Sequence, residues 1–249
     1  VEKMSGWYQD NYWKTGFKSS LYDMLTPESY LESMRQTVKL IPDKAGLKIW
    51  DAGCGSGLLL VFLKDVFKRG INYYGSDLLS AGLMRVQMRA KELMISEQVV
   101  CFKNDLAAPP FKENSLDIVV AHFSIYTIRE KDKREQALKN MWHVLRPGGI
   151  LLISNPSKNY NSSQIIEESL KLTLEKKGFW QAMIKRILFY PFTKFLGLNF
   201  IQKQLKSGLW IDYTIEGLAE ELQQAGFKTG TSVTVYAGSA YLMCGHKMV

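Results

Sequence analysis

Asp51, Gly53, Gly55 and Gly57 stand at alternate positions in LKIWDAGCGSGLLL, Leu47–Leu60, between a short apolar run and an apolar helical pattern. A buried strand turning sharply into a helix reads this way. Glycine at such a turn permits φ > 0 and lets backbone approach a ligand closely. The helix that follows turns unpaired N–H groups toward the same place. Spacing excludes two other glycine loops. The dinucleotide fingerprint needs a third glycine three residues after the second, and counting from Gly53 that position is Leu58. The phosphate loop needs Gly-Lys-Ser/Thr, and no lysine lies between Lys48 and Lys64. The remaining pattern, D-x-G-x-G-x-G, sets an acid beside the loop. That acid repels a pyrophosphate but suits a cofactor carrying an ammonium and a sulfonium.

Two further groups at run ends belong to the same chemistry. Asp77 closes INYYGSDL, 20 residues beyond Gly57. A carboxylate at the end of the strand next to the first can accept hydrogen bonds from both ribose hydroxyls; the plain alternative is a solvated strand-end acid. Asn104, Asp105 and Leu106 follow the run VVCFK. A side-chain acceptor there can read an adenine amino group while Leu106 packs on the ring. These residues together describe a nucleotide-like cofactor lying over the glycine turn.

The Asp51–Gly57 stretch closely resembles motif I of the class I methyltransferases that use S-adenosylmethionine. APPFKENSLDIVV and HVLRPGGILLIS resemble the family's entry into its fourth strand and its passage from fourth to fifth. The resemblance covers about residues 45–155 and 213–249, and only the first block carries specific motifs. It implies an α/β, Rossmann-like, doubly wound sheet of seven mostly parallel strands with the last strand antiparallel. It also implies S-adenosyl-L-methionine as cofactor, with S-adenosyl-L-homocysteine as product. Carried over residue by residue, the cofactor contacts are Asp51, Gly53, Cys54, Gly55, Gly57, Asp77, Leu78, Asn104, Asp105, Leu106 and His122.

Methyl transfer from a sulfonium is an in-line displacement, so the protein must align the reacting atoms and exclude water. A base helps only where the acceptor loses a proton. His122 and Tyr126 fall just past the fourth strand, where the family places substrate-facing residues, and are the catalytic candidates. His122 has an unperturbed pKa suited to a base; it reads equally as a cofactor-contacting or packing histidine. Tyr8, Tyr12, Trp13, Asn155 and Tyr160 are the candidates for lining the acceptor pocket. The Asn/Asp-Pro-Pro-Tyr/Phe signature of exocyclic-amine methylation would follow the fourth strand, where Ala121-His122-Phe123-Ser124 stands instead.

The elements that must position these residues follow from patterning. The runs Leu47–Asp51, Ile71–Leu78, Val99–Asp105, Leu116–Ser124 and Ile150–Ser154 read as parallel strands, the fourth apolar throughout. Helices are expected over 27–40, with Thr26 capping and Pro27 in the first turn, and over 58–68, 80–93, 134–145 and 214–225. Arg146-Pro147-Gly148-Gly149 reads as a helix stop. Phe227–Ala237 and Ala240–Lys247 read as a hairpin around Gly238-Ser239.

Three segments organise the chain: an aromatic and helical arm or lid over 1–46, a core over 47–155 and 213–249, and a helical cap inserted over 156–212. The lid reading of the arm competes with a plug of the core edge. The insert holds nine Lys and Arg against four acids, a balance of +5 out of the chain's +8. Bulky apolar residues from Phe179 to Leu196 are interrupted by Lys185, Arg186 and Lys194, so no run reaches the roughly 18–20 residues of a membrane span. The insert reads as a roof over the acceptor pocket, or as a peripheral membrane contact through 179–205.

With 46% hydrophobic and 22% charged residues over 249 positions, the composition suits one globular α/β unit with an insertion. Cys54, Cys101 and Cys244 are few and scattered, which favours a reducing, cytoplasmic setting. The segment Val1–Ser20 is polar and aromatic rather than a secretory apolar core. The three histidines form no metal-ligand spacing. Basic residues interleave with aliphatics instead of forming a separate RNA-binding arm, which favours a small, apolar or aromatic acceptor over nucleic acid. The alternatives are an RNA or protein methyltransferase, or a catalytically silent cofactor-binding regulatory protein.

Overall fold

The computed structural model describes residues 24–248. The chain enters through α1 (Glu28–Lys39), β1 (Lys48–Ala52), α2 (Leu59–Phe62) and α3 (Lys64–Phe67). It continues through β2 (Asn72–Asp77), α4 (Ser80–Glu92), β3 (Val99–Lys103) and β4 (Leu116–His122). Then come α5 (Lys131–Val144), β5 (Leu145–Pro156), α6 (Ser162–Lys177) and α7 (Phe179–Ile184). After α8 (Tyr190–Phe192) and α9 (Asn199–Lys206), the chain closes with α10 (Ile215–Gln224), β6 (Lys228–Val235) and β7 (Ala240–His246).

The strands form one seven-stranded sheet in the order β3-β2-β1-β4-β5-β7-β6. β7 runs antiparallel to both neighbours, and the other pairings are parallel. This is a doubly wound, Rossmann-like α/β sheet with its last strand reversed, as the resemblance implies. Every residue of β4 is buried, because helices cover both faces of the central strand. One face packs Ile49, Ile118, Val120 and Leu152 against Leu59, Leu60, Leu63 and Val86. The other packs Trp50, Val119, Leu151 and Ile153 against Leu138, Met141, Leu218 and Leu222.

Four local expectations are corrected. α1 begins at Glu28, with Pro27 as N-cap instead of Thr26, because Pro27 is still extended at ψ 141°. The helix after the glycine turn breaks into α2 and α3 at Leu63 (φ −85°, ψ 0°). Leu63 is itself buried, so core packing on both sides of the break outweighs continuity of a short helix. Arg146–Gly149 lies inside β5 rather than in a loop. Gly148 N–H donates to the Lys247 carbonyl and Lys247 N–H to that of Gly149, so pairing with the chain's end draws the segment into the sheet. The strand ends also fall short of the sequence bounds by one or two residues: β2, β3 and β4 stop at Asp77, Lys103 and His122. This leaves the chemical residues at or just beyond the strand ends.

The inserted stretch is helical and includes π-turns at Lys185–Phe189 and Thr193–Leu198 that flank Pro191. A proline that cannot donate to the helix ladder accounts for the local widening. α6 caps cleanly, with Asn161 accepting from the N–H groups of Ser163 and Gln164. A polar seam ties the insert to α1. Ser29 and Ser169 hydroxyls lie 2.8 Å apart, Thr193 donates to the Leu25 carbonyl at 2.7 Å, and fully buried Glu28 meets Lys177 at 2.6 Å and Arg35 at 3.0 Å. Farther along, the buried Arg134 guanidinium of α5 grips Glu221 of α10 at 2.8 Å, and Tyr213 donates to the same carboxylate at 3.0 Å. That network fixes the chain where it returns from insert to core. Among the described residues, no helix is long and apolar enough to cross a membrane.

Candidate cofactor and acceptor site

The glycine turn is a backbone cradle attached to β2. The N–H groups of Gly53 and Cys54 both donate to the Ser76 carbonyl at 2.9 Å. Gly53 has φ +83°, and a Cβ built on it would lie 2.4 Å from the Ser124 Cβ. Only glycine allows β1 to turn this closely against the residues that follow β4.

Asp77 closes the cradle from the other side. Its Oδ2 accepts from Gly55 N–H and its Oδ1 from Leu79 N–H, each at 2.9 Å. A carboxylate oxygen can accept twice, so both retain capacity for a ribose hydroxyl. Burial raises the Asp77 pKa against the opposing pull of the Leu79, Gly55 and Leu78 N–H groups. Leu78, beside it, is 58% exposed and offers an apolar face to a base.

Asp51 is buried at the end of β1, and the Tyr73 hydroxyl donates to it at 2.5 Å. Burial pushes its pKa up to about 7, with the Tyr73 bond opposing and the charge of Asp77 adding. From Asp51 to Leu63 there is no lysine or arginine. A buried and a half-buried carboxyl, backbone donors and no cation fit a positively charged adenosyl cofactor and do not fit a pyrophosphate. Asp51, Gly53, Gly55, Gly57, Asp77 and Leu78 are therefore the residues that would hold it.

The third predicted group sits differently. Asp105 is exposed and uses Oδ1 to accept from Ala107 N–H at 2.9 Å, while Asn104 Nδ2 donates to the Asp105 carbonyl at 2.6 Å. Both side chains close a local turn. Leu106 has only 8% of its surface exposed and belongs to the core with Trp50 and Leu116. Cys54 is buried, and burial followed by the Asp51 and Asp77 charges raises its thiol pKa far from nucleophilic range.

His122 ends β4 and is buried. Nε2 lies 3.1 Å from Ser33 Oγ and Nδ1 3.3 Å from the Tyr30 hydroxyl. Ser33 spends its own proton on the Tyr30 carbonyl at 2.8 Å. The consistent tautomer therefore has Nε2–H donating to Ser33 and Nδ1 accepting from Tyr30. Burial drives the His122 pKa down to about 3, so the ring is neutral and tied to α1.

A packed aromatic cluster surrounds this point. Tyr30 packs against His122, Phe123 and Tyr236 with ring centroids 5.0, 5.5 and 5.9 Å away. Tyr126 and Tyr160, both buried, continue it through Phe123 at 6.4 Å and Tyr236 at 6.3 Å. Phe123 and Tyr236 have φ of +55° and +56°, uncommon for aromatic residues. Asn155 follows on β5, one position past the His122–Ser154 register pair. It is fully buried, and neither end of its amide has a hydrogen-bond partner among the described residues.

The structure thus brings together His122, Tyr126, Tyr160 and Asn155 from the predicted set. Tyr8, Tyr12 and Trp13 lie outside the described residues. Tyr30, Ser33, Phe123 and Tyr236 were not legible as site residues: Tyr30 and Ser33 are ordinary helix positions, and Tyr236 precedes a hairpin corner. The one available signal was that aromatic next to Gly238-Ser239. A cleft of about 550 Å³ beside the β6–β7 hairpin is lined by Asn159, Asn161, Gln164, Thr234, Gly238 and Tyr241, and by none of the glycine-turn residues.

Residues 50–153 match the family described as "Methyltransferase domain". A ubiquinone/menaquinone biosynthesis C-methyltransferase UbiE of Methylococcus capsulatus is 31% identical over 128 residues, 51% of this chain and 50% of that protein. A tRNA N(3)-methylcytidine methyltransferase of Drosophila melanogaster is 31% identical over 120 residues, 47% of this chain and 36% of that protein. The match therefore spans half or less of these relatives' length. A SAM-dependent methyltransferase from Aquifex aeolicus shares the fold, with a TM-score of 0.61 at 17% identity, covering 92% of this chain and 97% of that one.

The fold and the glycine cradle define a Rossmann-like methyltransferase domain. The matched segment, residues 50–153, is a methyltransferase domain of the class I S-adenosylmethionine-dependent type, whose cofactor is S-adenosyl-L-methionine.

Proposed function

We propose that this protein transfers a methyl group from S-adenosylmethionine to a small, apolar or aromatic acceptor that carries a hydrogen-bonding group. The cofactor supplies an electrophilic methyl on a sulfonium, and the sulfur keeps the bonding electrons as the acceptor atom bonds to carbon. Asp51, Asp77 and the glycine turn orient it, and the aromatic cluster beyond β4 excludes water from the reacting atoms.

The observation that carries the acceptor reading is Asn155. A fully buried amide without a partner costs roughly 1–3 kcal/mol, and it lies on the β5 face that carries Leu151 and Ile153 of the core to which Tyr126, Tyr160 and Tyr236 also belong. An acceptor that stacks against tyrosines and presents a hydroxyl or carbonyl would satisfy it. Similarity to a UbiE C-methyltransferase agrees with a ring-bearing acceptor. An RNA acceptor is the second reading, favoured by similarity to a tRNA methyltransferase and by the +8 charge. His122, neutral and bonded at both nitrogens, serves in this proposal to hold α1 over β4 rather than to remove a proton.

Calorimetry with S-adenosylhomocysteine tests the cofactor half: saturable binding is expected, and no heat at millimolar ligand overturns it. Labelled S-adenosylmethionine incubated with cell extract tests the acceptor half. Label is expected in the solvent-extractable fraction, and incorporation confined to RNA or protein overturns the small-acceptor reading. In that assay Asn155→Leu should lower incorporation while raising the melting temperature, because the orphaned amide is gone.

A further inference from the structure

The helical insert exposes on its outward side what a helix ordinarily buries. Trp180, Ile184, Ile187, Leu188, Phe192 and Phe195 are 48–78% exposed, and their spacing of three and four residues sets them along one helical face. Tyr190, Thr193 and Leu198 on the opposite side are buried. The inner side is held by the α1 seam, with Tyr190 3.3 Å from the Thr173 hydroxyl and Thr193 bonded to Leu25. Six large apolar side chains at this exposure present on the order of 600 Å². That is at the upper end of the largest patch on an ordinary monomer.

The charges beside the patch have one sign. From Lys176 to Ile211 the chain has seven lysines and arginines and no acid. Lys176, Lys177 and Lys185 turn inward to Glu32 and Glu28 of α1. Arg186, Lys194, Lys203 and Lys206 make no ion pair among the described residues, and all but Lys194 are exposed. An apolar stripe flanked by basic side chains has the composition of an interfacial helix that lies in a headgroup layer. A second copy of the chain would bring two such basic sets together, at an electrostatic cost. The aliphatic middle, Ile184, Ile187 and Leu188, gains from hydrocarbon and has no base to stack on.

We propose that the outward face of residues 179–196 docks the protein on an anionic lipid bilayer, with the apolar side chains at the acyl boundary and Arg186 and Lys194 among the headgroup phosphates. The insert would then lie on the membrane without spanning it, leaving the polar seam to connect it to α1 and to the aromatic cluster around His122. This docking stands independently of the acceptor's identity.

The test is flotation of the full chain with phosphatidylcholine vesicles, with and without phosphatidylglycerol. Binding is expected with phosphatidylglycerol and should weaken as salt is raised. The double variant Trp180→Ser/Phe195→Ser should bind at least about tenfold more weakly. Its far-UV circular dichroism and S-adenosylhomocysteine affinity should be unchanged, because both side chains lie outside the cofactor cradle. No binding of wild-type protein to phosphatidylglycerol vesicles at low salt overturns the proposal, as does equal binding by the variant. A dimer in sedimentation velocity that the variant converts to monomer would assign the face to self-association instead. Failure of S-adenosylhomocysteine binding would overturn the methyltransferase reading and leave this one standing.

Discussion

From Asp51 to Leu63 the chain carries a buried acid and no cation, whereas from Lys176 to Ile211 it carries seven cations and no acid. The first region works through backbone: glycine N–H groups bonded to Ser76 and Asp77, with side chains cut away so that β1 can meet the segment after β4. The second works through side chains, long apolar ones outward and ammonium groups inward to Glu28 and Glu32. The difference separates two tasks. A cationic cofactor needs a negative, tightly formed cradle, and a large docking face needs hydrocarbon and positive charge. α1 links the insert to the end of β4, supplying Glu28 to the one and Tyr30 and Ser33 to His122 of the other.

The most severe way to break the contrast is to give the cradle a side chain. Gly53→Ala would place a Cβ 2.4 Å from Ser124 at a φ of +83°. Left-handed strain and the overlap together should cost about 3 kcal/mol or more. Thermal melts should show the loss, and S-adenosylhomocysteine affinity should fall with it. The same substitution at Gly70, where φ is +72° and an added Cβ meets nothing within 4 Å, should cost only the strain, about 1–2 kcal/mol. Equal losses at the two sites would remove the close-approach argument.

Asp77→Ala comes next. It removes the acceptor for the Gly55 and Leu79 N–H groups and the proposed ribose contact. Cofactor affinity should weaken by about 1.5–3 kcal/mol, roughly ten- to a hundredfold in calorimetry. Unchanged affinity would confine Asp77 to bracing the turn.

The smallest effect is also the most discriminating, because the two regions should respond to pH with opposite sign. Asp51 titrates at about 7 in the fold, surrounded by Tyr73, Asp77, Cys54 and Tyr30, against about 4 in the unfolded chain. The folded state therefore holds the extra proton between those values, and the cradle loses stability as pH rises through them. For Glu28, burial alone would raise the pKa, but hydrogen bonds from Lys177 and Arg35 and the charge of Lys185 hold it below its usual value. Its contribution is present above about pH 4.5 and is lost as pH falls through the lowered value. Hydrogen exchange, corrected for intrinsic rates, should show β1–β2 protection declining from pH 5 to 8. Protection of α1 and α6 should decline on acidification below about pH 4. Parallel behaviour of the two regions would dissolve the contrast.

The cradle was readable in the sequence because its requirements are local. A strand-to-helix turn needs glycine at fixed positions, and the neighbouring strand end carries Asp77 at a set distance along the chain. The seven-stranded, mostly parallel sheet and the reversed β7 followed from the resemblance together with apolar runs of the right length. His122 was legible by place but not by role. Its type suggests a base, whereas the structure buries it between Ser33 and Tyr30, and those partners lie 89 and 92 residues away in sequence. Asp105 and Leu106 were also placed correctly in the chain, yet a local turn and the core occupy them.

The amino-acid sequence by itself therefore determined the cofactor cradle, the sheet and the basic, aromatic character of the insert, since each is written in spacing or composition within one stretch. Only the tertiary structure decided what those stretches face. It assembled Tyr30, Phe123 and Tyr236 into one aromatic cluster, left the buried Asn155 amide without a partner among the described residues, buried Glu28 among three cations, and turned the insert's apolar stripe outward. Side-chain direction depends on contacts between segments far apart in the chain, and no periodicity within a single segment specifies which neighbour will be met.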